Sequence, residues 1–416
     1  MKLKTENEAI KISFQYIKTL LKWLIIAAIT GIIGGVIGTA FHKCLDYVTE
    51  LRMENTYITY LMPIGVIIII AIYNKFGNKG KLDTNLIINS VRKEEKIPLV
   101  LVPVIFIGTT ITQLFGGSAG REGAALQIGG GIGYNLGRLL RLNKNDIHII
   151  TMAGMSSVFS ALFGTPVTAA IFSLEVICVG AFNFTGLLPC VFASASAYYV
   201  SRLLGVCATF VSVPIGSIEP LMIAGVIALA ICCAVISTLF CLAIKKCEQL
   251  AKRWFKNPYL RGIVCSLIVV ILTIASGTFD YNGAGMNIVE RALHGDARSY
   301  DFIMKIIFTA ITIAAGFKGG EIVPAFFVGA TFGCVMGPLL GLESGFAAAI
   351  GMVAVFCGVV NCPVASIFLS IEMFGAEGLV LFGIACAVSY IMSGHSGLYK
   401  SQEIIYSKIT ADSIEG

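Results

Sequence analysis

The chain has 416 residues, of which 56% are hydrophobic and only 13% are charged, and its net charge is +6. A soluble globular protein carries about 25% charged residues, so the composition excludes a cytosolic enzyme, a disordered chain and a fibrous protein. We therefore interpret the chain as an all-α protein that crosses the membrane several times. The modest positive charge fits basic loops at an anionic leaflet and does not indicate nucleic-acid binding. The 13 cysteines and four histidines show no ligand spacing, so we expect no metal and no cofactor.

The chain opens with residues 1–18, in which lysines alternate with apolar residues. This segment lacks the short apolar core and cleavage site of a signal peptide, and its lysines predict a cytoplasmic N-terminus. Because a straight crossing needs roughly 20 apolar residues, uncharged runs mark the candidate spans. These runs are 23–41, 97–120, 147–174, 176–201, 221–244, 262–279, 322–342, 344–371 and 378–399.

Two of the runs are too long for one helix and contain a proline. The run 147–174 includes Gly164-Thr165-Pro166, and the run 344–371 includes Asn361-Cys362-Pro363. Proline disrupts a helix interior and restricts the residue before it. We therefore predict that each run folds as two helices, and that the protein has more than ten membrane helices, many of them short or tilted.

Two blocks of sequence recur along the chain in the same order. In the first block the offset is 200 residues, and Gly116, Gly120, Gly129, Gly133 and Gly137 match Gly316, Gly320, Gly329, Gly333 and Gly337. In the second block, which starts at Gly154 and Gly351 and ends at Glu175 and Glu372, the offset is 197. The repeats predict two related halves, residues 19–212 and 213–400, followed by a short polar tail, residues 401–416.

Duplicated halves with matching broken helices are typical of transporters that bind substrate near the middle of the bilayer. Helix N-termini favour anions there because they present unpaired N–H groups and partial positive charge. For Gly129, Gly133 and Gly137 we favour simple helix packing. The loop 116–123 differs, because packing alone does not explain the charged pair Arg121-Glu122 within it.

The motifs resemble those of the CLC family of anion channels and proton-coupled anion antiporters, over about residues 20–400. The segment 120–123, Gly-Arg-Glu-Gly, is similar to the family's G-K/R-E-G-P element, and 316–324 is similar to G-x-x-G-G-x-F-x-P. Tyr399 resembles the tyrosine near the end of the family's membrane domain. The resemblance implies a CLC-like fold of two inverted halves with many short, broken helices. It also implies a homodimer, without the nucleotide-binding regulatory domain of larger relatives.

Three departures from the chloride-transporting pattern are similar to the fluoride-exporting branch of the family. The first anion loop corresponds to Asp83-Thr84-Asn85-Leu86-Ile87, Glu321 stands where an apolar residue is usual, and Val176 replaces a second glutamate. These features favour a fluoride/proton antiporter in the cell membrane. A chloride channel or chloride/proton antiporter is the alternative.

The resemblance implies a role for each site residue. Glu122 would act as the gate that competes with the anion and carries the proton, and Glu321 would be a second carboxylate for proton or anion coupling. The expected anion-binding residues are Thr84, Asn85, Gly120, Gly123, Ile322, Val323 and Tyr399.

Each of these roles has a plainer alternative. Glu122 could form a salt bridge with Arg121, and Glu321 could be a solvated loop residue near Lys318. Thr84 and Asn85 could cap a helix, and Tyr399 could lie in an interfacial aromatic belt.

Two further features are a pair of glutamates at helix ends, which we interpret as structural, and a short protease-like motif, which we set aside. Glu175 and Glu372 end equivalent helices, and we expect them to satisfy backbone N–H groups or arginines; a role for Glu175 in an inner proton path is the minor alternative. The segment 394–397, Gly-His-Ser-Gly, matches the G-x-S-G of intramembrane serine proteases. No histidine follows His395 to act as the base, so we do not predict an enzyme.

Overall fold

The structure is a computed structural model that describes residues 6–77, 82–206, 210–216 and 219–409. This part of the chain contains sixteen α-helices. The first eight are α1 (Glu6–Glu54), α2 (Met62–Phe76), α3 (Thr84–Lys93), α4 (Leu101–Leu114), α5 (Glu122–Leu139), α6 (Lys144–Phe163), α7 (Pro166–Glu175) and α8 (Leu187–Leu203). The second eight are α9 (Pro220–Trp254), α10 (Pro258–Ser276), α11 (Met286–Leu293), α12 (Asp301–Ala315), α13 (Ile322–Met336), α14 (Ser344–Val360), α15 (Pro363–Phe374) and α16 (Leu379–Met392).

The helices have the lengths expected of a polytopic membrane protein. Within the described residues, six helical segments are long and apolar enough to cross a bilayer, and six further apolar helices have only 10–17 residues. At about 1.5 Å per residue the shorter helices span only part of the hydrocarbon core. The prediction of an all-α chain with many short helices is confirmed, with one small addition. A parallel pair of two-residue strands, β1 (Cys178–Val179) and β2 (Glu403–Ile404), joins the tail to the helical body.

Both predicted helix breaks are present. α6 ends before Gly164, whose φ of +69° is left-handed, and α7 begins at Pro166. In the second half, α14 ends before Asn361 with a φ of +56°, and α15 begins at Pro363. A left-handed residue closes the first helix, and a proline at the first helical position starts the next one.

The two halves are related by contacts that occur in matching pairs. α5 packs on α6 as α13 packs on α14, and across the halves α2 packs on α10 and α7 on α15. Aromatic rings continue the contact between halves, because Phe172 lies 5.9 Å from Phe356 and Phe356 lies 5.2 Å from Phe326, measured between ring centroids. The residue boundary between the halves, 212/213, stays a prediction, and residues 207–209 and 217–218 beside it lie outside the described part.

Glu175 and Glu372 cap each other's helices. Glu175, at the end of α7, accepts the N–H groups of Val364 and Ala365 at the start of α15, at 3.1 and 2.8 Å. Glu372 in α15 accepts two N–H groups at the start of α7 at 2.9 and 2.8 Å. Since each helix ends where the other begins, α7 and α15 run antiparallel. The structural interpretation of both glutamates is confirmed.

Glycines allow the paired helices to touch through their backbones. A Cβ atom at Gly129 would clash with the carbonyl oxygen of Gly154, and one at Gly329 would clash with that of Gly351. The neighbouring Gly133 faces the backbone of α6 in the same way. The packing interpretation of these glycines is confirmed.

The predicted tail is bound to the helical body as far as residue 409, and residues 410–416 lie outside the described part. The Ile405 N–H donates to the carbonyl of Val179 at 3.0 Å. The Lys408 ammonium donates to the Asn361 side chain at 2.6 Å, at the break between α14 and α15. This tail therefore holds elements of both halves together.

Candidate functional site

The two glycine-rich loops meet through backbone hydrogen bonds. The Gly120 N–H donates to the carbonyl of Gly320 at 2.6 Å, and the Gly320 N–H donates back to that of Gly120 at 2.9 Å. A Cβ atom at Gly320 would lie 2.5 Å from the Gly123 nitrogen, so the close approach requires glycine. The antiparallel bridge brings the first turns of α5 and α13 together, as expected for two loops that share one anion site.

Two threonines, which the sequence analysis missed, fix these loops in place. Thr312 of α12 accepts the Ser118 N–H at 3.2 Å, and Thr112 of α4 accepts the Lys318 N–H at 3.1 Å. Each half therefore holds the loop of the other. The signal was available, because the offset of 200 residues that relates the loops also relates Thr112 to Thr312.

Glu122 is the first residue of α5, and its side chain is fully buried. Its Oε2 accepts the Val323 N–H of α13 at 3.3 Å, whereas its buried Oε1 has no hydrogen-bond partner in the described part of the chain. Arg121 does not bind Glu122; its guanidinium contacts the His42 imidazole at 2.6 Å and the Asp46 carboxylate at 3.4 Å. The salt-bridge alternative for Glu122 is therefore wrong.

Glu321 and Ile322 stand where Arg121 and Glu122 stand in the first half. Glu321 is half-buried, precedes the first turn of α13 and makes no side-chain cap bond to it. Lys318 lies over the Tyr73 ring at 4.4 Å, and no ion pair within 4.0 Å joins it to Glu321 among the described residues. Glu321 is therefore a carboxylate close to the site. Its transport role, like those of the other predicted site residues, stays a prediction.

Thr84 and Asn85 do not cap α3, because Asp83 does. The Asp83 carboxylate accepts the Leu86 N–H at 3.1 Å, which corrects the capping alternative. Thr84 lies beside the site: its hydroxyl accepts from the Gln127 amide at 3.1 Å and would lie 3.4 Å from a Cβ atom at Gly123.

The Asn85 side chain contacts the tail. Its side-chain oxygen accepts the Ser401 N–H at 3.0 Å, and its amide nitrogen faces the Asp83 carboxylate at 3.4 Å. The structure therefore places Asn85 as a link between the first anion loop and the residues after Tyr399. Direct anion binding by Asn85 stays a prediction.

Tyr399 is buried, with only 7% of its surface exposed. The preceding Leu398 N–H donates to the carbonyl of Val359 at 2.9 Å, which fixes the segment. A tyrosine this deeply buried is not an interfacial belt residue, so that alternative is wrong.

Gln127 is a polar residue that the sequence analysis overlooked. It lies about one turn beyond Glu122 in α5 and donates to Thr84, and its own side-chain oxygen is buried without a partner in the residues described. It lies within the glycine-rich block, between Gly123 and Gly129, but the resemblance assigned no role to that position. The same part of the chain contains no group of three His, Cys, Asp or Glu residues placed to hold a metal ion.

Glu122 bonds the Val323 N–H next to the paired glycines, and these groups form the core of the candidate site. Unpaired N–H groups at the first turns of two helices attract negative charge, and a buried carboxylate already binds one of them. An unpaired carboxylate oxygen is costly when it is buried, so taking up a proton or leaving the site would relieve that cost. A multi-pass membrane fold of two related halves around such a unit is typical of membrane transport proteins.

Comparison with known proteins places this chain in one family. A family profile described as "Voltage gated chloride channel" matches residues 64–394, and the chain belongs to this CLC family. A protein of Pseudomonas syringae pv. tomato named "Chloride/fluoride channel protein" is 35% identical over 397 residues, which cover 93% of this chain and 87% of that protein. The "H(+)/Cl(-) exchange transporter ClcA" of Vibrio campbellii is 24% identical, over 86% of this chain and 83% of its own length.

Solved structures have the same fold. A structure described as a CLC-type fluoride/proton antiporter is similar with a TM-score of 0.90 and 32% identity, over 92% of this chain and 98% of its own. A slow cyanobacterial Cl⁻/H⁺ antiporter has a TM-score of 0.79 and 19% identity, over 89% of this chain and 94% of its own. The protein is therefore an integral membrane protein with the CLC fold.

Proposed function

We propose that the protein is a proton-coupled antiporter that exports fluoride across the cytoplasmic membrane. The observation that carries this proposal is the bond between the buried Glu122 carboxylate and the Val323 N–H of the opposite half. An anion that enters the site competes with the carboxylate for this donor. When Glu122 takes up a proton, it loses its negative charge and releases the N–H group to the anion. Proton binding and anion binding are thereby coupled.

Fluoride is favoured over chloride by three sequence features and two comparisons. Thr84-Asn85 replaces the usual chloride-binding loop, Glu321 adds a carboxylate at the start of α13, and Val176 replaces the second glutamate of chloride antiporters. A protonated Glu321 and the Tyr399 phenol would each donate an O–H to fluoride, which is a strong acceptor. The structure described as a fluoride/proton antiporter is 32% identical and the chloride/fluoride channel protein is 35% identical.

A chloride channel or chloride/proton antiporter is the second candidate. It is favoured by the relatives named H(+)/Cl(-) exchange transporters, which are 23–25% identical. The Glu122 geometry serves either anion, so transport has to be measured.

The experiment compares fluoride and chloride efflux from liposomes that contain the purified protein, with proton movement recorded at the same time. We expect fluoride efflux together with proton uptake, and much slower chloride efflux. Chloride efflux as fast as that of fluoride would defeat the fluoride assignment, and fluoride efflux without protons would indicate a channel.

Two variants test the carboxylates. Glu122→Gln removes the titratable group at nearly constant shape, and we expect proton coupling to be lost; Glu321→Gln should likewise uncouple or stop the exchange. Glu343→Gln is the matched control, because Glu343 is exposed and makes no cap bond at the start of α14. If both site variants kept the wild-type ratio of protons to fluoride, the role assignments would be wrong even though the fold is right.

We further propose that the N-terminus is cytoplasmic and that two copies associate, each with its own pathway. The lysines near the N-terminus support the orientation, and the CLC resemblance supports the homodimer. Accessibility of a cysteine introduced near residue 13 tests the orientation, and the mass of the protein–detergent complex tests the dimer.

A further inference from the structure

A cavity lined by both apolar and charged side chains lies beyond Arg121, where α1 ends. Its volume is about 370 Å³. It opens between the end of α1, the 3-10 turn Thr56–Leu61 and the loop before α11. The charged residues in its lining are Asp46, Arg52, Arg121 and Asp280, and its neutral polar residues include Thr59, Gln113 and Asn282. We call it the Arg52 cavity.

Arg52 is a buried cation without an acidic partner. Only 8% of its surface is exposed, and its Nη1 donates to the carbonyl of Gln113 at 2.7 Å. Within the described residues, no carboxylate lies within 4.0 Å of its guanidinium. A guanidinium carries five N–H groups, and a buried charge is costly unless it is paired. The remaining donors are therefore available to a ligand.

A second buried cation lies behind the same wall. Lys305 of α12 is fully buried and donates to the carbonyls of Tyr281 and Gly283 at 3.2 and 2.8 Å. Its ammonium lies 5.0 Å from the Phe327 ring centroid, and it too has no carboxylate within 4.0 Å in the part of the chain described. A Cβ atom at Gly283 would lie 2.5 Å from Arg52 Nη1, so this one loop separates the two basic side chains.

The acidic residues nearby do not pair with these two side chains. Asp46 is half exposed at the rim and is shared between Arg121 and His42. Asp280 pairs with Arg298 at 3.3 Å. Asp46 and Asp280 balance the charges of Arg52 and Arg121 in the lining, but neither carboxylate lies within 4.0 Å of the Arg52 guanidinium in the described part of the chain.

The cavity also contains an unused hydroxyl donor. Thr59 lines the cavity, has 1% of its surface exposed, and its Oγ1 finds no hydrogen-bond partner among the residues described. An unpaired buried polar group indicates a missing ligand or water. Together with the Arg52 guanidinium, this hydroxyl offers the two kinds of donor that suit a small anion.

We propose that the Arg52 cavity is a second anion-binding site, in which a monovalent halide waits next to the Glu122 gate. Arg121 lines the cavity and directly precedes Glu122 in the chain, which connects the two sites. The Gln113 side chain, whose backbone accepts from Arg52, also donates to the carbonyl of Ala119 in the gate loop at 2.6 Å. The role of the cavity in transport rests on the proposed function; its ability to bind an anion does not.

Bromide tests anion binding directly, because its anomalous scattering locates it in a crystal of the full chain. We expect a bromide peak near Arg52 and Thr59 in the wild type and its loss in Arg52→Gln. The control is Lys43→Gln, which removes the same charge from an exposed position on the same helix and should keep the peak. A wild-type crystal without bromide in the cavity would overturn the proposal, and this result needs no variant to fold.

Transport kinetics test the waiting role. For anion supplied from the Arg52 side, we expect the half-saturating concentration in Arg52→Gln to rise about tenfold, the loss of roughly one charge-assisted hydrogen bond, with the proton ratio at saturation unchanged. Arg52→Lys, which keeps the charge, should show a smaller rise. Unchanged half-saturation in Arg52→Gln would refute the waiting role. Failure of the wild type to exchange fluoride for protons would instead refute the proposed function, and the bromide result would still report on the cavity.

Discussion

Replacing Glu175 by glutamine tests whether this residue caps a helix or carries protons. The change keeps the shape of the side chain but places an NH₂ group opposite one of two backbone N–H donors, at Val364 or Ala365. Both bonds are short, at 3.1 and 2.8 Å, and only 7% of the Glu175 surface is exposed. Losing one hydrogen bond to a charged group costs about 1.5–3 kcal/mol. The variant also loses the attraction between the Glu175 carboxylate and the positive N-terminal end of α15. We therefore expect Glu175→Gln to destabilise the protein by about 2–4 kcal/mol in total.

Its counterpart Glu372 provides an internal comparison. Glu372 makes two bonds of similar length, at 2.9 and 2.8 Å, but its side chain is more exposed. Water can replace part of what is lost, so Glu372→Gln should destabilise the protein less than Glu175→Gln does. The order of the two variants follows from burial and not from bond length.

The assay is thermal unfolding in detergent, combined with the ratio of protons to fluoride in liposomes. We expect both glutamine variants to melt earlier than the wild type and to keep the wild-type ratio wherever they remain folded. Glu343→Gln serves again as the exposed control. An unchanged melting temperature in Glu175→Gln, accompanied by loss of proton movement, would refute the capping argument and place Glu175 in a proton path.

Three further predictions concern packing, the tail and pH. Gly129→Ala forces a methyl group into the facing backbone and should lower the free energy of unfolding by about 1–3 kcal/mol. The control, Gly383→Ala, places its methyl group in open space and should raise the free energy of unfolding by about 0.5–1 kcal/mol. Thermal unfolding measures both changes. Asn85→Leu removes the acceptor for the Ser401 N–H and should speed hydrogen exchange in the tail without unfolding the helices. Burial lowers the pKa of Lys408 from 10.5 to about 8, so the unfolded chain holds this proton more tightly. The charged Lys408 ammonium therefore destabilises the fold below pH 8, and this penalty disappears as the pH rises toward 10.5. The melting temperature of the wild type, measured relative to that of Lys408→Met, should rise between pH 8 and pH 10.5.

The helix breaks could be predicted because local chemistry determines them. Gly164 and Asn361 adopt left-handed conformations that end a helix, and Pro166 and Pro363 are suited to start the next one. The duplication supplied a second, independent signal, because it placed both breaks at matching positions. The meeting of the two glycine-rich loops followed from the same alignment.

The contacts of Asn85 could not be predicted in this way. Its partner Ser401 is 316 residues away, and no local pattern identifies such a pair. The parallel strands β1 and β2 likewise join residues 178–179 to 403–404. The cap of α3 was a different kind of error, because Asp83 is a good N-cap residue that immediately precedes the two residues considered.

The two halves match in backbone geometry but differ in charge, and this difference gives the site its chemistry. Position 122 is glutamate and its counterpart 322 is isoleucine, so the carboxylate that bonds across the halves belongs to the first half. Its hydrogen-bond donor, the Val323 N–H, belongs to the second half. The loops that carry them are held crosswise, since Thr112 and Thr312 each bind the loop of the opposite half. Neither half can therefore build this contact by itself. The first half alone would lack the Val323 N–H donor, and the second half alone would lack the Glu122 carboxylate.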